Sequence, residues 1–94
     1  MNQPVIAADQ TLPFVTVMYS GIGELRLFEH QTLSPSVLRE ADALLVRSVT
    51  TVDAALLRGS KVRFVGTATV GHDHVDIAYL ERMGIAFASA PGSN

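Results

Sequence analysis

Two short runs in this chain carry side chains suited to holding a small anionic ligand: Arg47–Ser48, and Gly66–Thr67–Ala68–Thr69 followed by Gly71. Each follows an apolar run of strand length, Ala43 to Val46 in the first case and Val62 to Val65 in the second. At the carboxyl ends of parallel strands, loops and helix starts present unpaired N–H groups, and ligands gather there. Ser48 offers a hydroxyl and a backbone N–H, and Arg47 a guanidinium fork that matches a carboxylate or phosphate. Thr69 adds a second hydroxyl near Gly71, where the missing side chain lets a ligand approach the backbone. Arg47, Ser48 and Thr69 are therefore the candidate substrate-binding residues. Gly66, Thr67 and Ala68 shape the same loop. The plain alternative is structural: Arg47 in an ion pair that braces the chain, Ser48 and Thr69 as ordinary turn residues.

His72, Asp73, His74 and Asp76 place four metal-ligand types within five positions, and imidazole with carboxylate suits zinc, manganese or iron. The spacing argues against a metal, because side chains at i and i+2 do not share a helix face. Asp73 as the cap of a following helix, with Asp76 close to the positive end of that helix, accounts for both acids. His30 shows no evident partner in the sequence. A dinucleotide cradle needs G-x-G-x-x-G between a strand and a helix. Gly21–Ile22–Gly23 lacks the third glycine and precedes a strand, so it reads as a turn. No residue is assigned a catalytic, cofactor-binding or metal-binding role.

These residues need a frame, and the apolar pattern supplies one. Five strand-length runs recur, Val5 to Ala8, Glu24 to Phe28, Ala43 to Val46, Val62 to Val65 and Ile85 to Ala88, alternating with helix-like segments as in an α/β layer structure. Leu25 and Leu27 alternate with Glu24, Arg26 and Glu29, which marks the second run as an edge strand with one wet face; the other four read as more interior. Thr11 with Pro13, and Ser34 with Pro35, look like helix starts. Thr51 precedes a helix from Val52 to Arg58 stopped by Gly59. Asp73 precedes one in which Val75, Tyr79 and Met83 repeat at spacing four, ended by Gly84. The β-branched Val15, Thr16 and Val17 weaken the first of these helices. The order predicts a flavodoxin-like open parallel sheet, strands 2-1-3-4-5, with helices on both faces. The helix that should cover the sheet after the fifth strand is missing before Asn94, leaving an apolar face that tends to recruit a partner.

With 94 residues, 48% of them hydrophobic, 17% charged and a net charge of −2, the chain fits one globular domain and not a disordered segment. No apolar run approaches the roughly 20 residues that span a bilayer. MNQPVIAADQ lacks the pattern of a secretory signal, so the cytoplasm is the expected compartment and no membrane partner is expected. The absence of cysteine rules out disulfides and thiolate metal sites. Near-neutral charge without a basic run argues against nucleic acid and for a small molecule.

The stretch from Ala41 to Asn94, with the run GTATVGHDHVD and the closing Ala90–Pro91–Gly92–Ser93–Asn94, resembles the D-isomer-specific 2-hydroxyacid dehydrogenases. Within them the run is most similar to the branch acting on 4-phospho-D-erythronate. Phosphoglycerate dehydrogenases tend to have arginine, alanine and glycine where this chain has Thr67, Ala68 and Thr69, and asparagine where it has His74. In that branch the residues matching Ser48 and Thr69 bind substrate, and Gly92 and Asn94 lie in a turn near the interdomain cleft. The resemblance implies NAD-dependent oxidation of a small phosphorylated hydroxy acid on the route to pyridoxal phosphate, and a homodimer at full length. Asp9 resembles the aspartate of the family's opening segment. Gln10 and Thr11 depart from the pattern after it, as do Phe28, Glu29 and His30.

Family members are several times longer, and their nucleotide-binding domain and the arginine, glutamate and histidine that act in the reaction follow the region matched here. Residues 1–94 are accordingly expected to form a single substrate-binding domain fragment, inactive alone and without bound NAD. Three other readings stand beside this one: another D-2-hydroxyacid dehydrogenase such as a phosphoglycerate dehydrogenase, a stand-alone flavodoxin-like binding module, and an interaction fragment assembling through the uncovered face. A receiver-domain role for Asp9 would need a paired acid upstream and a lysine after the last strand. The only lysine is Lys61.

Overall fold

The computed structural model describes residues 4–12, 23–47, 49–67 and 74–88. Five strands form one sheet: β1 (Val5–Asp9), β2 (Glu24–Phe28), β3 (Ala43–Val46), β4 (Phe64–Thr67) and β5 (Ala86–Ala88). Every neighbouring pair is parallel and the order is β2-β1-β3-β4-β5, the order expected from the sequence. Among the described residues three short helices, α1 (Pro35–Leu38), α2 (Ala54–Leu57) and α3 (Ile77–Met83), join the strands, and a 3-10 turn (His30–Thr32) follows β2.

Right-handed crossovers explain the layering. From β2 to β3, β3 to β4 and β4 to β5 the chain advances in one direction across the sheet, so the three helices land on one face. Their leucines confirm it. Leu38 of α1, Leu57 of α2 and Leu80 of α3 share one buried cluster with Ala7, Leu44, Val46 and Val65 of the strands. The opposite face carries Ile6, Ala8 and Leu45, with Leu12, Leu25, Ala43 and Phe64 packed against them. The central strands are thus buried on both sides, which is why β1 and β3 read as unbroken apolar runs.

Several boundaries differ from the expectation, each for a local reason. The fourth strand begins at Phe64 and continues to Thr67, because Val62 is already spent in the core cluster and ladder pairing runs from Ala43↔Phe64 to Val46↔Thr67. Val52 and Val75 do not enter helices. They form an isolated parallel bridge, which delays both helix starts. The caps are consequently Asp53, whose carboxylate accepts from Leu56 N–H, and Asp76, which accepts from Tyr79 N–H, in place of Thr51 and Asp73. With α3 starting at Ile77, the stripe through Met83 fails: Met83 is 58% exposed and Leu80 is the buried residue. Ser34 and Pro35 hold the positions expected, yet the Ser34 hydroxyl meets that of Ser36 and caps no N–H. Gly84 ends α3 in the left-handed region at φ 72°, as its type requires.

β2 is an edge strand with Leu27 half exposed. β5 forms the other edge, and its Ala86 and Ala88 are exposed, so it is not one of the interior strands. Thr11, the expected cap of a helix, donates its N–H and its hydroxyl to the Asp9 carboxylate. The rest of that expected helix, and the turn at Pro91 to Asn94, lie outside the described residues. Among the described residues no helix is long and apolar enough to cross a membrane.

Candidate functional site

Parallel pairing brings the carboxyl ends of all strands to one edge of the sheet, and the sequence puts polar residues there. In spatial order, β2 is followed by Glu29 and His30, β1 ends in Asp9, β3 is followed by Arg47, and β4 ends in Thr67. Chain positions far apart in sequence thereby become a continuous polar rim.

Asp9 is its anchor. The residue is fully buried, and its carboxylate accepts three hydrogen bonds: from Thr11 N–H at 2.9 Å and the Thr11 hydroxyl at 2.7 Å on Oδ1, and from Arg47 Nε at 3.0 Å on Oδ2. Burial pushes the Asp9 carboxyl up. The Thr11 and Arg47 hydrogen bonds, with the positive charge of Arg47, outweigh that push and hold it below the usual aspartate range. The charge is therefore retained where an unpaired one would be expelled.

Arg47 reaches across β1 to the residue beyond β2. Its Nη2 lies 3.2 Å from His30 Nδ1, and a guanidinium has no acceptor, so Nδ1 accepts and the neutral ring carries its proton on Nε2. The partner of His30 is thus Arg47, which the sequence alone did not reveal. Among the described residues Nη1 of Arg47 makes no hydrogen bond, and the side chain is 31% exposed. A guanidinium with one edge fixed by a buried carboxylate and the other open is a directed anion receptor.

On the far side of β3 the geometry is equally built. Thr67 is buried, and its Oγ1 lies 3.0 Å from His74 Nε2, which ties the end of β4 to the residue two before Asp76, the cap of α3. The backbone of the same histidine is held by the neighbouring loop: Val52 N–H donates to the His74 carbonyl and Asp76 N–H to the Val52 carbonyl, both at 2.8 Å. In the turn after β3, Thr50 N–H donates to the Arg47 carbonyl at 3.1 Å. The Thr50 hydroxyl is, among the described residues, the one buried side-chain polar atom left without a partner.

Of the residues singled out in the sequence, Arg47 and Thr67 sit on this rim, and Gly66 lies one residue before it inside β4. Ser48, Ala68, Thr69, Gly71, His72, Asp73, Gly92 and Asn94 lie outside the described residues. His74 and Asp76, half of the apparent metal cluster, are engaged with Thr67 and with Tyr79 N–H respectively. The described residues contain no group of three or more ligand-type side chains able to hold a metal ion. Gly23 fits no phosphate cradle. A Cβ there would stand 2.2 Å from the Pro4 carbonyl oxygen, so this glycine is needed for close backbone packing. The residues that sequence reasoning did not join to the site are Asp9 and His30. Their signal was positional: each stands at or just beyond a strand's carboxyl end.

Residues 3–94 match the model of the D-isomer specific 2-hydroxyacid dehydrogenase catalytic domain. The chain is 56% identical over 89 residues, 95% of its length, to an erythronate-4-phosphate dehydrogenase of Azotobacter vinelandii. It is 51% identical over 90 residues to the enzyme of that name from Marinobacter nauticus. It spans 23% of the length of each of these curated relatives. Among solved structures, an NAD+-bound 3-phosphoglycerate dehydrogenase of Entamoeba histolytica superposes with a TM-score of 0.78 at 20% identity, over 98% of this chain and 34% of that one. At that identity the likeness is one of fold.

Proposed function

The chain belongs to the D-isomer specific 2-hydroxyacid dehydrogenase family, matching its catalytic domain, and from this we propose that it is the substrate-holding part of an NAD-dependent 4-phospho-D-erythronate dehydrogenase. The observation that carries this reading is the 56% identity across 95% of the chain to an erythronate-4-phosphate dehydrogenase. The reaction converts the 2-hydroxyl of 4-phospho-D-erythronate to a ketone, giving 2-oxo-3-hydroxy-4-phosphobutanoate on the route to pyridoxal phosphate in the cytoplasm. NAD, when bound, would supply the hydride acceptor for C2, and the remainder of a longer protein that acts as a homodimer would hold both it and the base for the hydroxyl proton.

The role of residues 1–94 is to hold and orient an acid that is anionic at both ends. Ser48 and Thr69 donate hydroxyl hydrogen bonds, and Arg47 supplies a fixed positive edge. The rim supports this: its one guanidinium is fastened from behind by Asp9 and open in front. A buried Thr67 in place of a long cation, bonded to His74, favours this substrate over 3-phospho-D-glycerate.

The test is NADH formation by the full-length gene product with each acid. 4-Phospho-D-erythronate is expected to have the higher kcat/KM. Ser48→Ala and Thr69→Val are each expected to raise its KM by roughly tenfold, the scale of one lost hydrogen bond to a charged group. Residues 1–94 alone are expected to form no NADH. A preference for 3-phospho-D-glycerate, or unchanged KM in both variants, would overturn the assignment.

A further inference from the structure

His30 has no place in the reading above and Asp9 enters it only as a brace, yet both meet the same guanidinium. A fully buried carboxylate is costly unless it is repaid by well-formed bonds. Here two of its three bonds go to Thr11, two residues on in the chain, and the third to Arg47, 38 positions away. His30, a turn residue after an edge strand, accepts from the same guanidinium at Nη2. A single long side chain is thereby pinned at two atoms, Nε and Nη2, by groups from two other strand ends. Two pins on a planar group fix its plane as well as its position, and what is left is the Nη1 edge and the remaining Nη2 hydrogen.

We propose that Asp9 and His30 are positioning residues that orient Arg47 so that its open edge receives the oxygens of an anionic group, carboxylate or phosphate, of the substrate. This deepens the functional reading and rests on it for the identity of that substrate. Asp9 fixes the Nε edge through its charge. His30 fixes Nη2 as a neutral acceptor, so the requirement at position 30 is an acceptor atom at the place of Nδ1. Asparagine, whose Oδ1 occupies the equivalent place, satisfies it, and alanine does not.

The experiment compares His30→Ala, His30→Asn and Asp9→Asn with wild type in the full-length protein, reading KM and kcat for 4-phospho-D-erythronate and, separately, the Kd for inorganic phosphate. His30→Ala is expected to raise both KM and the phosphate Kd by roughly fivefold, the worth of one hydrogen bond, with kcat within twofold. His30→Asn is expected to restore both to within twofold of wild type, and Asp9→Asn, if folded, to exceed the His30→Ala effect. If His30→Ala leaves the phosphate Kd unchanged, or His30→Asn fails to the same degree as alanine, the positioning role is refuted. Absence of turnover by wild type would sink the functional reading instead, because phosphate affinity tests Arg47 without it. A loss confined to kcat would also count against the proposal, since it would move the role of His30 from holding the acid to the reaction step.

Discussion

Replacing Asp9 by asparagine keeps the shape of the side chain and removes its charge. The asparagine oxygen can still accept both bonds from Thr11, whose donors lie 2.9 and 2.7 Å from Oδ1. The amide NH2 would then stand where Oδ2 accepts from Arg47 Nε at 3.0 Å, and donor would face donor. A hydrogen bond to a charged group is worth about 1.5–3 kcal/mol, and removing one partner of a fully buried pair costs about 3–5 kcal/mol. Arg47 is 31% exposed, so water takes over part of its solvation, and the expected loss is about 2 kcal/mol. Asp9→Ala abandons all three bonds and leaves a small cavity, and should cost about 4 kcal/mol. Urea unfolding of the purified variants reads both numbers from the shift of the midpoint at constant slope. Losses below about 0.5 kcal/mol for asparagine, or equal losses for the two variants, would show that the Asp9–Arg47 pair is not what holds this corner.

The same residue predicts a pH signature. Its carboxyl lies below the usual range when folded, so the stability it confers is complete above the unfolded value of about 3.9 and drains away as pH falls through the folded value. Wild type should therefore lose stability on acidification below about pH 4 more steeply than Asp9→Asn, and parallel curves in acid titrations would contradict this. Gly23→Ala is expected to cost about 3 kcal/mol, at the upper end of overpacking, because the new methyl would press on a main-chain oxygen, that of Pro4, and not on a yielding side chain. A thermal midpoint unchanged from wild type would argue against so close an approach.

The strand order and the strand-end positions of Arg47 and Thr67 were legible in the sequence because both depend on features that period and composition carry: apolar runs of strand length and the polar residues that end them. Arg47 was legible as a residue with chemistry, but not its direction. That depends on Asp9, 38 positions earlier, and on His30, whose position past β2 becomes informative only once β2 and β3 are known to flank β1. The helix starts were misplaced for one shared reason. Val52 and Val75 look like first-turn helix residues, and a bridge between them is a tertiary event with no local signature. Propensity chose Thr51 and Asp73, and pairing moved the caps to Asp53 and Asp76. The stripe at Met83 failed with them, since a shifted start rotates which residues face inward.

That valine bridge has a consequence for the freedom of the two segments it joins. Val52 and Val75 tie the segment leaving β3 to the segment returning from β4, at the level where both have left the sheet. Two segments joined by a rung do not lose their freedom independently. Restraining one removes most of the entropy the other had to lose, so a second contact on the neighbouring segment costs less than the first. Anything that held either segment would thereby hold both.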